Sequence, residues 1–234
     1  GNTEGDVIYI SQALARRNPY KASMKGSIPV NVLTRVPSAN AAPLDLDINL
    51  DHADMNALAL FFNPVTSAEG PIKGYVKVSG AWDDPELRGD VSVKNGRIEL
   101  LTLHDPIFPL NMDVKFDGKS ATVEGNAVFG TGKSSVKGGL EWDRGAIIAY
   151  NGEAHLHAPD IHSDYYKGSL DADFGLGEVM DVPGIEGNIH VHDALVEFPL
   201  TLLSDSGSSS IPALIKLEVL VGDNVRAKSS SQIG

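Results

Sequence analysis

The sequence predicts an all-β chain: an elongated sheet with one apolar face. Three observations predict it. Apolar and polar residues alternate over many short stretches, most cleanly where Leu44, Leu46, Ile48 and Leu50 interleave with Asp45, Asp47, Asn49 and Asp51. That is the period of a strand with one dry face and one wet face. The 24 glycines and 13 prolines fall between short apolar runs, as turns do in all-β chains. A segment also recurs: Gly89–Leu100 aligns with Gly187–Phe198, and each follows a Lys-Gly strand start, Lys73-Gly74 and Lys167-Gly168. Repeats of this kind suggest units stacked along one axis rather than a closed globule. The approximate units are residues 20–102, 103–166 and 167–234, within a single elongated region spanning 1–234.

Taken in order, Val7 to Ile10 reads as a short strand. Ser11 is placed to cap a short helix running through Ala15-Arg16-Arg17 to a stop at Asn18-Pro19. Met24 to Val36 reads as extended. The strand around Leu44–Leu50 is followed by a second predicted helix, Asp54 to Phe62, with Asp54 as cap, Met55, Leu58 and Phe62 on one side and Asn63-Pro64 as terminator. Val76 and Val78 then alternate with Tyr75, Lys77 and Ser79. Asp84-Pro85 marks a turn, and Val91 and Val93 resume the apolar face. Asn95-Gly96 is the strongest hairpin signal in the chain, with Ile98 and Leu100 expected on the returning strand.

Downstream, Met112, Val114 and Phe116 alternate with Asp113, Lys115 and Asp117, and Asp117-Gly118 is a second hairpin turn. Strands are expected at Thr122–Phe129, Ser134–Trp142, Ala146–Tyr150 and Glu153–Ala158. Leu170, Ala172, Phe174 and Leu176 form another alternating run. Ser204–Ser210 is a serine-rich loop. Ile215, Leu217, Val219 and Val221 form the last clear strand before a Gly222-Asp223-Asn224 turn.

Composition narrows the function. A net charge of −12 argues against nucleic acid, whose phosphates need clustered Lys and Arg, and against docking on an anionic membrane through a basic patch. No Cys is present, which fits an exported protein. The chain has neither a run of about eighteen apolar residues nor a signal peptide. It reads as a fragment whose targeting signals lie elsewhere.

Four constellations resemble chemical sites, and each has a plainer reading. Ala127–Ser134 ends in Gly132-Lys133-Ser134, like a phosphate loop. The residues after it alternate and include Gly138-Gly139, a poor helix, so a β-turn is the better reading. Asp45-x-Asp47-x-Asn49 resembles the start of a calcium loop, but the sharp-turn glycine is replaced by Leu50 and the terminal acid by Asn56. It reads as the wet face of a strand. His155-x-His157 and His190-x-His192 each put two imidazoles on one strand face. On adjacent strands, two such pairs would suit zinc or copper. Because Leu156 and Val191 alternate with them, a polar outer face is the simpler reading. Asp83-Asp84 with Glu86 is a solvated turn. No nucleophile motif is present, so neither an enzyme nor a cofactor is expected.

One apolar face per strand needs a cover. A sandwich or barrel would supply it from a second sheet. Alternatively, the face lines a groove that holds acyl chains: at about 0.8 kcal/mol per buried CH₂, a chain of about sixteen carbons gains roughly 13 kcal/mol on leaving water. The residues expected to line it are Leu44, Leu46, Ile48, Leu50, Val76, Val78, Val91, Val93, Ile98, Leu100, Met112, Val114, Phe116, Leu170, Phe174, Ile189, Val191, Leu217, Val219 and Val221. The competing expectation is a β-helical or β-sandwich binding module, such as an adhesin or glycan binder.

The stretch Gly74–Leu100 resembles the TamB-like family of the AsmA-like superfamily. The pattern that carries the resemblance is Gly74-Tyr-Val-Lys-Val-Ser-Gly80, then Asp84-Pro85-Glu-Leu-Arg-Gly89, then Val91-Ser-Val-Lys-Asn-Gly96-Arg-Ile98. Leu44–Leu50 and the Asn56-Ala-Leu-Ala-Leu segment fit the same repeat's lead-in, and Leu217–Arg226 resembles another recurrent family segment. The resemblance implies a U-shaped sheet, or β-taco, with an apolar inner groove and one or two short helices. It implies a periplasmic bridge anchored in the inner membrane by a segment absent here. The implied partners are phospholipids, carried toward the outer membrane, and in some members an outer-membrane barrel protein of the assembly machinery. Leu103 to Asp181 departs from the tidy repeat.

Overall fold

The computed structural model describes residues 7–17, 20–29, 42–56, 64–179, 182–199 and 214–230. They form one 14-stranded sheet that does not close into a barrel. The strands are β1 (Val7–Arg17), β2 (Tyr20–Pro29), β3 (Leu44–Asp54), β4 (Val65–Glu69), β5 (Pro71–Ala81), β6 (Asp84–Leu100) and β7 (Ile107–Gly118), then β8 (Ser120–Phe129), β9 (Gly132–Asp143), β10 (Ala146–His162), β11 (Tyr166–Val179), β12 (Val182–Pro199), β13 (Leu214–Val221) and β14 (Arg226–Ser230). Sequence order is nearly spatial order, β1-β2-β3-β5 through β13, and the pairings up to β12 are antiparallel. β4 lies end to end with β5 along β6, and β13 and β14 lie end to end along β12 in parallel.

Register shows how the alternation becomes a surface. Ala15, Ala22, Leu50, Gly74, Val91, Val114, Val123, Gly138, Gly152, Leu176, Ile185 and Ile215 are successive cross-strand partners in one lateral row. Every member is apolar or glycine. The row starts near the end of β1 and finishes near the start of β12 and β13, so the sheet is sheared along its length. Twelve strand positions at about 4.8 Å give a width of about 50 Å, which makes the sheet elongated.

The first expected helix is not there. Ser11 to Arg17 is the second half of β1, where Ala13 and Ala15 pair with Met24 and Ala22 of β2. Asp54 closes β3, and Met55-Asn56 form a single tight turn; the rest of the expected second helix lies outside the described residues, as does the 204–210 loop. No helix longer than that turn occurs among the described residues. The helical signal at Ser11–Arg17 loses here because a helix of one or two turns is not stable by itself, and the segment pairs with β2 instead. The U-shaped trough is likewise replaced by an open sheet. Among the described residues, two clefts lie mainly along the charged face, and no apolar inner groove is formed. A β-helix and a β-sandwich are equally absent from the described residues.

Asn95-Gly96 is also reassigned. The two residues lie inside β6, at a bulge where the register against β7 shifts between Val93 and Gly96, and Asn95 takes φ 55°. Ile98 and Leu100 therefore continue the same strand. The repeat seen in sequence is nevertheless structural. Asp193, the counterpart of Asn95, sits in β12 at φ 47°. At the paired glycines a neighbouring carbonyl passes close: a Cβ on Gly89 would lie 1.9 Å from the Tyr75 oxygen, and one on Gly187 2.3 Å from the Asp173 oxygen. Both repeats need a bare backbone there.

Turn chemistry is otherwise as expected. Asp117-Gly118 leads into the β7–β8 turn, the phosphate-loop-like segment is the β8–β9 turn at 130–131, and Asp223-Asn224 turn the chain into β14. The Asp84-Pro85 signal marks a hairpin whose tip is Trp82-Asp83, with Ala81 opposite Asp84.

Two clusters cap one end of the apolar face. Met55, fully buried, packs with Ala68, Val93, Leu110 and Ala127. Leu103, from the β6–β7 connection, packs against Phe129, Ala158 and Ile161 and bridges to Ser163. At the opposite end, the β5–β6 and β9–β10 hairpins meet over the tip of the β7–β8 hairpin. Lys119 Nζ bonds Asp84 Oδ2 at 2.5 Å and Asp143 Oδ1 at 2.7 Å, and Trp142 Nε1 donates to the Pro85 oxygen at 2.9 Å.

Candidate functional site

The apolar face is the first candidate. All twenty residues expected to line a groove fall on it. The register joins Leu46 to Val78, Ile48 to Val76, Val91 to Val114, Val93 to Met112 and Leu170 to Val191, and carries the face on to Val219 and Val221. They share a face without forming a groove. Leu44 and Val76 are 5% and 7% exposed, whereas Val219 and Val221 are 55% and 66% exposed. The same face is thus buried around β3–β8 and bare toward β13. Four further members were not among the residues expected to line it: Val136, Leu140, Leu176 and Ile215 belong to this face and are exposed. Leu176 and Ile215 lie in alternating runs legible in sequence, whereas glycines at 138 and 139 interrupt the alternation around Val136 and Leu140. Met55 and Leu103, which decide where the face is covered, sit outside any alternating run.

The charged face carries the clefts. One, of about 730 Å³, lies across β7–β10, with Lys115, Thr122, Glu124, Lys137, Asn151 and Glu153 among its walls. A second, of about 710 Å³, adjoins Lys133, His155, His157, Asp171 and Asp173 on β9–β11. The two histidine pairs are not on adjacent strands: β11 separates β10 from β12. Its aspartates fill the gap. His155 Nδ1 lies 2.5 Å from Asp173 Oδ1, and His157 Nδ1 bonds Asp171 Oδ1. The other Asp171 oxygen lies 3.5 Å from His192 Nε2, and the His190 and His192 rings are 5.5 Å apart.

These contacts set the electrostatics. The hydrogen bond from His157 holds the Asp171 carboxyl below its ordinary range. Asp173 raises the His155 imidazole, because the carboxylate favours the protonated ring. Among the described residues no group of three or more His, Cys, Asp or Glu is arranged to hold a metal ion. The imidazoles and carboxylates are instead paired with each other.

The calcium-like segment is resolved the same way. Asp45 and Asp47 project from a strand face: Lys77 Nζ lies 3.0 Å from Asp45, Lys25 lies 3.6 Å from Asp47, and the Tyr75 hydroxyl donates to Asp47. That hydrogen bond is the main cause of the lowered Asp47 pKa. The Asp83-Asp84 pair is split in role. Asp84 is tied to Lys119 and to the Arg144 backbone NH, which together hold its carboxyl below the usual range.

No family model, no curated protein and no solved structure matches this chain. No helix among the described residues is long and apolar enough to cross a membrane.

Proposed function

We propose that this chain is a span of a cell-envelope bridge protein that shields phospholipid acyl chains on the apolar face of its sheet. The observation that carries the reading is the uninterrupted row of apolar residues and glycines from Ala15 to Ile215, exposed at Leu176 and Ile215. A surface of this kind solvates an acyl chain by contact alone. Each methylene it takes from water is worth about 0.8 kcal/mol, and no charged specificity or catalytic group is needed. The resemblance of Gly74–Leu100 to TamB-like repeats supports the same reading. On it, the setting is the periplasm, the protein is held at the inner membrane by a segment not in this sequence, and an outer-membrane barrel protein of the assembly machinery is a further partner.

The test is lipid mass spectrometry of the purified chain after delipidation and reloading with phospholipid vesicles. A photo-cross-linking residue at Val136, Leu176 or Val219 should capture phospholipid, and one at Glu124 or Lys137 on the charged face should not. Leu176→Arg and Val219→Glu should lower phospholipid retention. Equal capture from both faces, or no retention above a detergent control, would overturn the reading.

One observation favours a second reading, a non-enzymatic binding module for polar ligands such as glycans: both large clefts lie on the charged face. A glycan array answers it. Glycan binding lost in Asn151→Ala, with phospholipid absent, would select it.

A further inference from the structure

We infer that β13 is a homodimer edge, on which a second copy of this chain pairs its own β13 antiparallel, with Leu217 opposite Leu217 across the two-fold axis. β13 has β12 on one side and no described strand on the other. All eight of its residues are exposed. Its pairing with β12 runs without a bulge from Leu214 to Val221, and it contains no proline. A long, regular, apolar edge of this kind is a template for another strand. The opposite edge of the sheet is built differently: β1 carries a bulge between Ile10 and Ala13, which spoils an edge for pairing.

The occupant follows from charge and register. A two-fold axis perpendicular to the sheet sets residues whose numbers sum to 434 opposite each other. Ile215 then faces Val219, and Leu217 faces Leu217, on the apolar side. On the charged side Lys216 faces Glu218, and the two-fold repeats that pair. Opposite charges directly across an antiparallel ladder favour pairing, and like charges oppose it. Moving the axis to residue 216 or 218 sets Lys216 opposite Lys216 or Glu218 opposite Glu218. Within the protomer, Lys216 approaches Glu186 at only 3.9 Å, and its side chain remains 66% exposed, ready for the new partner. The interface is isologous, as most dimers are. It keeps both apolar faces on the same side and makes one surface of two sheets.

The experiment uses the chain's lack of cysteine. Leu217→Cys should oxidise to a covalent dimer, because directly opposed residues lie about 4.5 to 5.5 Å apart at Cα, within disulfide range. Ile215→Cys should not, since its twin lies four residues away along the ladder. In sedimentation velocity, the unmodified chain should show concentration-dependent dimerisation. Lys216→Glu should weaken it by about tenfold or more, by setting like charges opposite twice. The double variant Lys216→Glu with Glu218→Lys should recover it. A chain that sediments as a monomer throughout, equal cross-linking at 215 and 217, or a double variant no better than the single would each overturn the inference. Phospholipid retention is read separately, so failure of the dimer leaves the lipid reading standing, and the reverse.

Discussion

The two ends of this sheet use the same apolar face in opposite ways. Around β4–β8 the face is covered: Met55 folds back over Val93, Leu110 and Ala127, and Leu103 packs on Phe129 of β8 with Ala158 and Ile161 of β10. From β9 to β13 the alternation is the same, and although Ala158, Ala172 and Val191 are buried, Val136, Leu140, Leu176 and every residue of β13 stand exposed. Strand pattern therefore decides that a face is apolar, and connection residues decide whether it is core or surface. In a single-layer sheet there is no second layer to make that choice. The covered end is where stability should reside, and the bare end is where binding should.

The largest test of that division is truncation at the cap. Met55→Ala removes a fully buried side chain from the cluster over β4, β6, β7 and β8 and should cost about 2 to 4 kcal/mol in urea unfolding. Val219→Ala, on the bare end, should cost less than about 1 kcal/mol. Equal losses would dissolve the distinction between core and surface.

The next test adds volume instead. A Cβ on Gly96 would meet Met55 Sδ and Val93 Cγ1, each at 2.8 Å, so Gly96→Ala should destabilise by about 1 to 3 kcal/mol through overpacking. Gly177→Ala, at the bare end, meets nothing within 4 Å. It should be neutral, or stabilising by up to about 1 kcal/mol through a less flexible unfolded chain. Stability from thermal melts of the two variants should move in different directions. If Gly96→Ala were as benign as Gly177→Ala, Met55 would not be seated on that bulge.

Those two tests also mark what was legible in the sequence. Period-two alternation let the twenty named residues be assigned to one face, because the register of an antiparallel pair preserves parity from strand to strand. The Gly89 and Gly187 repeat was legible for the same reason. Asn95-Gly96 was misread as a turn because a bulge and a tight hairpin both ask for a residue at positive φ; local sequence does not say whether the chain then reverses. Whether an apolar face is concave, convex or capped depends on Met55 and Leu103 reaching across several strands, which no local pattern records. The clefts on the charged face were invisible for a related reason: their walls come from several strands at once.

A smaller effect is expected at the other end of the covered region, where Lys119 joins the β5–β6 and β9–β10 hairpins through Asp84 and Asp143. The hydrogen bond from Lys119, then that from the Arg144 backbone, lowers the Asp84 pKa from its ordinary 3.8. The stabilisation linked to Asp84 is therefore present above about pH 4 and is lost as pH falls through the lower, folded value. Lys119→Met should lower neutral stability slightly and flatten the acid limb of a stability-against-pH curve below about pH 4 by the same small amount. An unchanged acid limb would mean that the three hairpins are not held through this lysine.

The smallest effect belongs to the bare end and has the opposite sign. Asp173 raises the His155 pKa above its ordinary 6.5, so the protonated imidazole is favoured in the folded chain. The contribution of this pair is complete below about pH 6.5 and disappears as pH rises through the folded value. Both groups are exposed, so the consequence is local. An NMR titration of the His155 ring should show a midpoint above that of an unperturbed histidine, and Asp173→Asn should bring the midpoint down. A His155 midpoint indifferent to Asp173 would mean that the β10–β11 ladder does not hold the two side chains together, and the charged cleft beside them would then lack the fixed wall described here.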